Sequence, residues 1–298
     1  MGRLGIYPDL PPMPVVVGYE VGGTVDAVGE GVDSAWVGKQ VLGLCRFGGY
    51  SDVICLPEIQ VHELPDGMTV EQGAALPVNY LTAYQLIEVM GSLKAHETVL
   101  VHSVGGGVGI AATQIAKRIG ARVIGTASVG KHDRVREFGV DECIDYRSED
   151  FEKRVLELTD GRGVELILDA VGGDSFTKGF NALAPTGRLG MFGMSSAATG
   201  KSRNLLSVFK AVSAMPFFKF NPVTLMNENK SVFGVNVGHL WDQAPMVNQW
   251  MVALLDYYRE GAISPHVDAT FSFDQAAEAH RYIQDRKNFG KVLLKPSV

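Results

Sequence analysis

The sequence predicts an α/β protein in which a doubly wound parallel sheet is inserted into a smaller β domain. Six short apolar runs alternate with amphipathic segments in the middle of the chain, as parallel strands joined by crossover helices do. Val- and Gly-rich segments without helical periodicity fill residues 15–64, which is typical of β structure. Similar β-like segments return near the C-terminus, so we expect both ends of the chain to build the smaller domain.

The predicted elements follow one another in a regular order. We place the strands of the large sheet at 98–102, 122–126, 142–146, 165–171, 188–193 and 231–237, then a helix at 246–261. A strand at 266–273, a helix at 274–285 and a strand at 290–296 complete the chain. The expected domains are therefore residues 1–80 with 240–298, and residues 81–239.

Composition excludes several classes of protein. The chain has 298 residues, of which 46% are hydrophobic and 20% charged, as in ordinary globular enzymes. Its net charge of −6 argues against a nucleic-acid partner. No apolar run is long enough for a transmembrane helix, and the first ten residues lack the apolar core of a signal peptide. Three cysteines are too few for a disulfide framework, so we expect a cytoplasmic protein.

A glycine loop follows the first strand of the large sheet. The segment "VLVHSVGGGVGIAA" predicts a strand, a turn and the start of a helix, the arrangement that holds a pyrophosphate at a helix N-terminus. Gly106 and Gly109 fit the G-x-G-x-x-G pattern, whereas its first position is Val104. Because this loop opens a six-stranded doubly wound sheet, we assign nucleotide binding to Gly106, Gly107, Val108 and Gly109.

The end of the second strand indicates which nucleotide is bound. NAD sites place an acidic residue there, but "VIGTASVGKHDR" has no carboxylate before Asp133. Ser128, Lys131 and Arg134 instead offer donors for a 2′-phosphate, which predicts NADPH. An alternative is that Lys131 and Arg134 form a solvated helix face. The expected cofactor site also includes Thr126, Tyr146, Val171, Phe192, Gly193, Phe233 and Val235.

Several motifs resemble the zinc-independent quinone oxidoreductases of the medium-chain dehydrogenase/reductase superfamily. They span nearly the whole chain in the family's order, and the pieces "VNYLTAY", "GTAS…KH" and "RNLL" are most similar to the group that includes the synaptic vesicle membrane protein homologue. The resemblance implies a Rossmann domain, a GroES-like β domain whose first strands are missing before Met1, a cleft between them, and a homodimer. The motifs are "RLGIYPDLPPMPVVVGYEVGGTV", "AALPVNYLTAY", "VLVHSVGGGVGIAATQIAK", "FGVDECIDYRSEDF", "DAVGG", "GRLGMFG" and "NFGKVLLKP".

The resemblance also predicts a site without metal. Zinc alcohol dehydrogenases place a histidine ligand where this chain has Tyr19, and no cluster of four cysteines is available for a structural zinc. The same comparison suggests Tyr7, Asn79 and Thr82 as catalytic residues. Tyr7 matches a tyrosine of the related enoyl-thioester reductases. Two alternatives remain: Tyr7 packs beside the prolines, and Asn79 caps a helix.

Without a Lewis acid, the expected substrate is one that accepts hydride readily. Quinones and α,β-unsaturated carbonyls need only positioning and a hydrogen bond to the developing oxyanion. We therefore expect an NADPH-dependent oxidoreductase acting on a small apolar quinone or enone. The alternatives are an enoyl-thioester reductase and an NADPH-binding protein without turnover in lipid or membrane handling. We further expect dimerisation near 232–237 and, at 203–226, an apolar flap with weak membrane contact.

Overall fold

The computed structural model describes residues 11–12, 14–195 and 220–297. Its centre is a sheet of six parallel strands in the order β6-β5-β4-β7-β8-β9, which confirms the predicted doubly wound fold. The order reverses between β4 and β7, and ligands of such sheets bind in the crevice outside that point. The strands are β4 (Thr98–Val101), β5 (Arg122–Ala127), β6 (Glu142–Asp145), β7 (Val164–Asp169), β8 (Leu183–Met191) and β9 (Ser231–Gly234).

Helices cover both faces of this sheet because successive strand residues point to opposite sides. Val99 and Val101 pack in one core, together with Ile110 and Ile115 of the helix after β4. Leu100 between them faces a second core on the other side of the sheet. The helices of this block are α3 (Gly107–Ile119), α4 (His132–Glu137), α5 (Phe151–Leu158), α6 (Asp174–Asn181) and α7 (Pro222–Glu228).

A small antiparallel sheet precedes the large one. Its strands are β1 (Glu20–Thr24), β2 (Gln40–Leu44) and β3 (Val61–Glu63), in that order. Helix α1 (Val70–Ala75) begins at a capping box formed by Thr69 and Gln72. It lies so close to β1 that a Cβ on Gly22 would be 2.5 Å from the Val70 carbonyl oxygen.

The C-terminal segment packs back onto both sheets. Helix α2 (Pro77–Tyr84), with a π turn at Gln85–Val89, leads into the large sheet and packs against α8 (Ala244–Arg259). Strands β10 (Val267–Ser272) and β11 (Lys291–Lys295) form a parallel pair, connected by α9 (Ala276–Gln284). The Gly290 amide donates to the Gly105 carbonyl at 2.9 Å, so the C-terminus is hydrogen-bonded directly to the glycine loop.

Some expectations remain predictions. The domain boundaries at 80 and 240 and the dimer through β9 are untested, although β9 pairs only with β8 among the strands described. Tyr7 and most of the 203–226 flap, up to residue 219, lie outside the described residues. In the part of the chain that the structure describes, no helix has the length and apolarity needed to cross a bilayer.

Candidate functional site

A cleft of about 2600 Å³ follows the carboxyl edge of the large sheet and extends to β1 and β11. Ser103, Thr126 and Val171 line it from the large sheet, and Glu20 and Lys291 from the smaller ones. The cleft thus lies at the switch point where doubly wound sheets bind their ligands.

The glycine loop forms the part of this wall that precedes α3. A Cβ on Gly107 would lie 2.5 Å from Asn79 Nδ2, and one on Gly109 would lie 2.5 Å from the Val104 carbonyl oxygen. Gly109 therefore has no room for a side chain because its neighbours are backbone atoms, whereas a side chain at Gly107 would require the Asn79 side chain to shift. Gly106 lines the cleft as the N-cap residue of the 13-residue helix α3, whose first N–H groups and positive dipole end suit an anionic group. The loop fits a pyrophosphate.

Three cationic side chains surround Tyr146 at the other side of the same wall. The guanidiniums of Arg147 and Arg286 lie 5.8 and 5.7 Å from its ring centroid. Burial alone would raise the pKa of Tyr146, but hydrogen bonds and charges from the two arginines outweigh burial and lower it. Lys131 Nζ donates to the carbonyl oxygens of Arg286 at 2.9 Å and Asn288 at 2.5 Å. Ser128, Lys131, Tyr146 and Arg286 all line the cleft.

This cluster fits the 2′-phosphate that the sequence predicts. Burial and the nearby guanidiniums of Arg134 and Arg147 lower the pKa of Lys131, while Tyr146 and Asp268 act in the opposite direction. Arg134 itself does not line the cleft. It stacks on Phe289 at 3.9 Å and pairs with Asp268 at 3.6 Å, so its role in the structure is packing.

The other predicted cofactor residues lie at strand ends nearby. Thr126 and Val171 line the cleft, whereas Phe192, Gly193, Phe233 and Val235 lie behind its lining. The Phe233 ring covers Gly190, where a Cβ would be 2.7 Å from the ring. Val108 is half-buried in the first turn of α3. Their contact with a cofactor stays a prediction.

Of the predicted catalytic residues, two are described and both lie on α2. Asn79 Nδ2 donates to the Ala75 carbonyl at 3.2 Å, and its side chain lies against Gly107. The N-cap position of α2 is Leu76, so Asn79 does not cap this helix. Thr82 is half-buried one turn further on, and neither residue lines the cleft. Their roles, like that of Tyr7, stay predictions.

Tyr19 and Phe47 line the cleft beside β1, and Trp241 packs against Tyr19 from outside the lining. The Tyr19 ring lies 4.9 Å from Phe47 and stacks at 6.1 Å and 17° on Trp241. Phe47 adopts a left-handed φ of 67°, which is strained for a bulky residue. We call Tyr19, Phe47 and Trp241 the aromatic floor.

Groups beside the aromatic floor are held in their neutral forms. Burial and the Glu20 carboxylate raise the pKa of the Cys45 thiol to about 12, so the thiol is protonated at neutral pH. The same two causes raise the pKa of Tyr50. In the described ranges, no three His, Cys, Asp or Glu side chains are grouped to hold a metal ion. These residues do not fit a catalytic zinc.

One ion pair joins the two ends of the chain at this site. Glu20 of β1 pairs with Lys291 of β11, and Glu20 Oε2 accepts a hydrogen bond at 2.8 Å from the Val78 amide at the start of α2. Glu20 and Lys291 side chains are only 10% and 21% exposed. This single carboxylate therefore connects β1, β11 and the helix that contacts the glycine loop.

Sequence reasoning missed several of these residues. Arg286 lies outside the quoted motifs, and Arg147 received no role although it follows Tyr146 inside "FGVDECIDYRSEDF". His102 is inside the quoted glycine-loop segment, but no pattern in that segment assigns it a role. Phe47 had a local signal, because "RFGGY" places it before two glycines.

Known protein families match most of the chain. Residues 2–66 match the family described as "Alcohol dehydrogenase GroES-like domain", and residues 138–294 match "Zinc-binding dehydrogenase". The human synaptic vesicle membrane protein VAT-1 homolog is 38% identical over 297 residues, which are 99% of this chain and 75% of that protein. The Danio rerio homolog is 39% identical over 295 residues, and the chain spans 60% of its length.

Solved structures of related proteins have the same fold. Escherichia coli quinone oxidoreductase complexed with NADPH superposes with a TM-score of 0.83 at 28% identity, covering 98% of this chain and 85% of that one. The CurK enoyl reductase gives a TM-score of 0.80 at 26% identity, covering 99% and 83%. The matches thus include both reductase classes that the sequence suggests.

Proposed function

Because the chain belongs to the quinone oxidoreductase-like branch of the medium-chain dehydrogenase/reductase superfamily, near the VAT-1 homologues, we propose that it is an NADPH-dependent, metal-free oxidoreductase. The reaction proposed is reduction of a quinone or an α,β-unsaturated carbonyl.

The cation cluster at Tyr146 is the observation that carries this proposal. Lys131 and Arg286 line the cleft at the end of β5 and β6, where a cofactor's 2′-phosphate would meet them. The glycine loop lies along the same cleft, with Gly106 in its lining. NADH lacks the 2′-phosphate that these cations would bind, so the cluster favours NADPH.

Each part of the cleft has its own task in this reaction. NADPH supplies the hydride. The glycine loop and the N-terminus of α3 hold the pyrophosphate, and Lys131, Tyr146 and Arg286 hold the 2′-phosphate. Asn79 fills the space between α2 and the glycine loop, which positions α2 against the cofactor site. The aromatic floor excludes water from the far end, and the substrate oxygen takes its proton from solvent or from a phenol in the cleft.

The aromatic floor favours a planar substrate. A quinone ring gains offset stacking on Tyr19 and Phe47, whereas an acyclic enone offers a much smaller face. The likeness to the CurK enoyl reductase keeps an enoyl thioester as the second candidate. Because the relatives are named as synaptic vesicle membrane proteins, the third candidate is a protein that binds NADPH without turnover.

NADPH oxidation with an added acceptor tests the proposal. We expect the absorbance at 340 nm to fall when a naphthoquinone is added, and NADH to support a slower reaction. Parallel assays with an alkenal and an enoyl thioester separate the two enzyme candidates. Tight NADPH binding without turnover of any acceptor would show that the protein is not the proposed enzyme.

A further inference from the structure

A largely buried histidine, His102, is among the residues that line the cofactor end of the cleft. His102 follows β4, is only 4% exposed, and packs edge-on against the Phe151 ring at 4.5 Å. Its Nδ1 lies 3.2 Å from Thr126 Oγ1 at the end of β5. Among the described residues, its Nε2 has no hydrogen-bond partner within normal range, and it lies 4.0 Å from Asp169 Oδ2. The proposed chemistry leaves this imidazole without a role.

The hydrogen bonds around Thr126 indicate where the imidazole proton lies. Thr126 Oγ1 already accepts from the Ser103 amide at 3.1 Å, so its own proton is free to donate to His102 Nδ1. Burial lowers the pKa of His102, against the opposing charge of Asp169, so the ring is neutral. On this hydrogen-bond pattern, the single proton of the neutral ring is assigned to Nε2, which faces Asp169.

The Asp169 carboxylate, which lies next to His102, also accepts hydrogen bonds from the loop after β7. Its Oδ1 accepts from the amides of Val171 at 2.6 Å and Gly172 at 3.1 Å, and its Oδ2 accepts from Ser175 Oγ at 2.6 Å. Gly172 has a left-handed φ of 79°, so the loop turns sharply at this point. Val171, between these bonds, lines the cleft.

A second contact extends the network to the loop after β8. The Ser195 amide donates to the Ala170 carbonyl at 2.9 Å, and a Cβ on Gly193 would lie 3.1 Å from the same oxygen. The residues after β4 and at the ends of β5 and β7 therefore meet around His102, near the point where the strand order reverses, and the loop after β8 joins them only through Ala170.

We propose that His102 is a positioning residue for the dinucleotide: it holds Ser103, Thr126 and the Val171–Gly172 loop in the arrangement that the cofactor requires. The inference rests on the proposed cofactor site and goes beyond it. His102 acts on parts of the site that NADPH and NADH share, whereas Lys131 and Arg286 act on the 2′-phosphate.

Cofactor binding by variants tests the inference directly. His102→Phe keeps the ring packing on Phe151 and removes both nitrogens, and His102→Gln restores a donor towards Asp169. We expect His102→Phe to raise the Kd of NADPH and of NADH by the same factor, roughly five- to tenfold, as for loss of about one hydrogen bond. His102→Gln should recover part of this loss. Arg286→Ala, as the matched comparison, should weaken NADPH alone.

Amide exchange gives a readout that does not need cofactor. In His102→Phe, the Val171 and Gly172 amides should exchange faster, while amides in the small sheet keep their wild-type rates. If His102→Phe has a lower Tm but unchanged Kd values for NADPH and NADH, the positioning role is wrong. A change in NADPH affinity alone would also overturn it. If the wild type binds neither cofactor, the proposed function itself fails.

Lowering the pH should weaken cofactor binding through His102 and the groups around it. The groups that face His102 are Thr126 on β5, Phe151 on α5 and Asp169 on β7. A proton on Nδ1 would displace the Thr126 proton, so binding should weaken as the pH falls through the folded-state pKa of His102, which burial holds below its usual value. NAD⁺ is the ligand for this measurement because it lacks the 2′-phosphate. We expect wild type to lose NAD⁺ affinity in this acidic range, and His102→Gln to lose less; equal losses would contradict the inference.

Protonation of His102 should also lower the free energy of unfolding at acid pH. The pKa of His102 is lower in the folded than in the unfolded chain, so the unfolded state binds more protons below pH about 6.5. The free energy of unfolding therefore falls as the pH falls through this window and is recovered above it. His102→Gln should show a smaller fall.

Discussion

The two ends of the cleft are built in different ways. The cofactor end consists of loops that leave neighbouring parallel strands, and its shape follows from the glycine loop, α3 and the ends of β5 and β7. The substrate end consists of Tyr19, Phe47, Trp241 and the Glu20–Lys291 pair, which come from four separate parts of the chain. The first end depends on a regular sheet, and the second on a few long-range contacts.

This difference indicates where each end is vulnerable. Loops that follow six hydrogen-bonded parallel strands keep their positions when one surface side chain is removed. The substrate end rests on smaller sheets: among the described residues, β1, β2 and β3 form a three-stranded sheet and β10 and β11 a two-stranded pair. We therefore expect changes at the substrate end to reduce stability, and changes at the cofactor end to reduce affinity.

Removing the Lys291 charge should have the largest effect. Lys291→Met leaves Glu20 largely buried without its partner, and breaking such a pair costs about 3 kcal/mol. We expect this loss in the free energy of unfolding measured by urea denaturation. Lys295→Met, on the exposed end of the same strand, is the matched control and should change little.

A double variant separates charge from packing. Glu20→Gln with Lys291→Met removes both charges and keeps an acceptor for the Val78 amide, so it should recover part of the lost stability. If Lys291→Met is as stable as wild type, the ion pair does not hold the substrate end together.

Removing the Arg286 guanidinium should have the next largest effect. A charge-assisted hydrogen bond contributes about 1.5–3 kcal/mol, so Arg286→Ala should raise the Kd of NADPH on the order of ten- to a hundredfold. The Kd of NADH should stay unchanged in fluorescence titrations. Lys287→Ala, the exposed neighbouring cation, is the control. Equal losses for both cofactors would place Arg286 outside the 2′-phosphate site.

Changing the aromatic floor should have the smallest effect and the most selective one. Stacking contributes about 0.5–1.5 kcal/mol, so Tyr19→Leu should lower kcat/KM for a naphthoquinone by roughly two- to tenfold. Reduction of an acyclic enone and the Kd of NADPH should hardly change. Tyr19→Phe keeps the ring and should therefore keep the preference for the quinone over the acyclic enone. An equal loss for both acceptors would show that Tyr19 does not stack on the substrate.

The cofactor end was largely predictable from local sequence patterns. Alternating apolar runs predicted the six strands, and the segment around Gly106 predicted the loop before α3. Ser128, Lys131 and Tyr146 were expected at strand ends and do meet in one cleft. Parallel strands end at the same edge of their sheet, so residues that follow them become neighbours whatever lies between them in sequence.

Local patterns failed where a side chain could point in more than one direction. Lys131 and Arg134 lie close together in the sequence, and both were expected to offer donors for the 2′-phosphate. The structure directs Lys131 into the cleft and stacks Arg134 on Phe289. Asn79 likewise contacts the glycine loop instead of capping α2.

The sequence by itself determined the doubly wound sheet, its glycine loop and the absence of an acidic residue at the end of β5. These features depend on residues within one strand, turn or helix, whose spacing is visible in the chain. Only the tertiary structure decided that Arg286 joins Lys131, 155 residues earlier, and that Lys291 pairs with Glu20, 271 residues earlier. Such contacts depend on how separate elements pack, and no local periodicity records the distance between them.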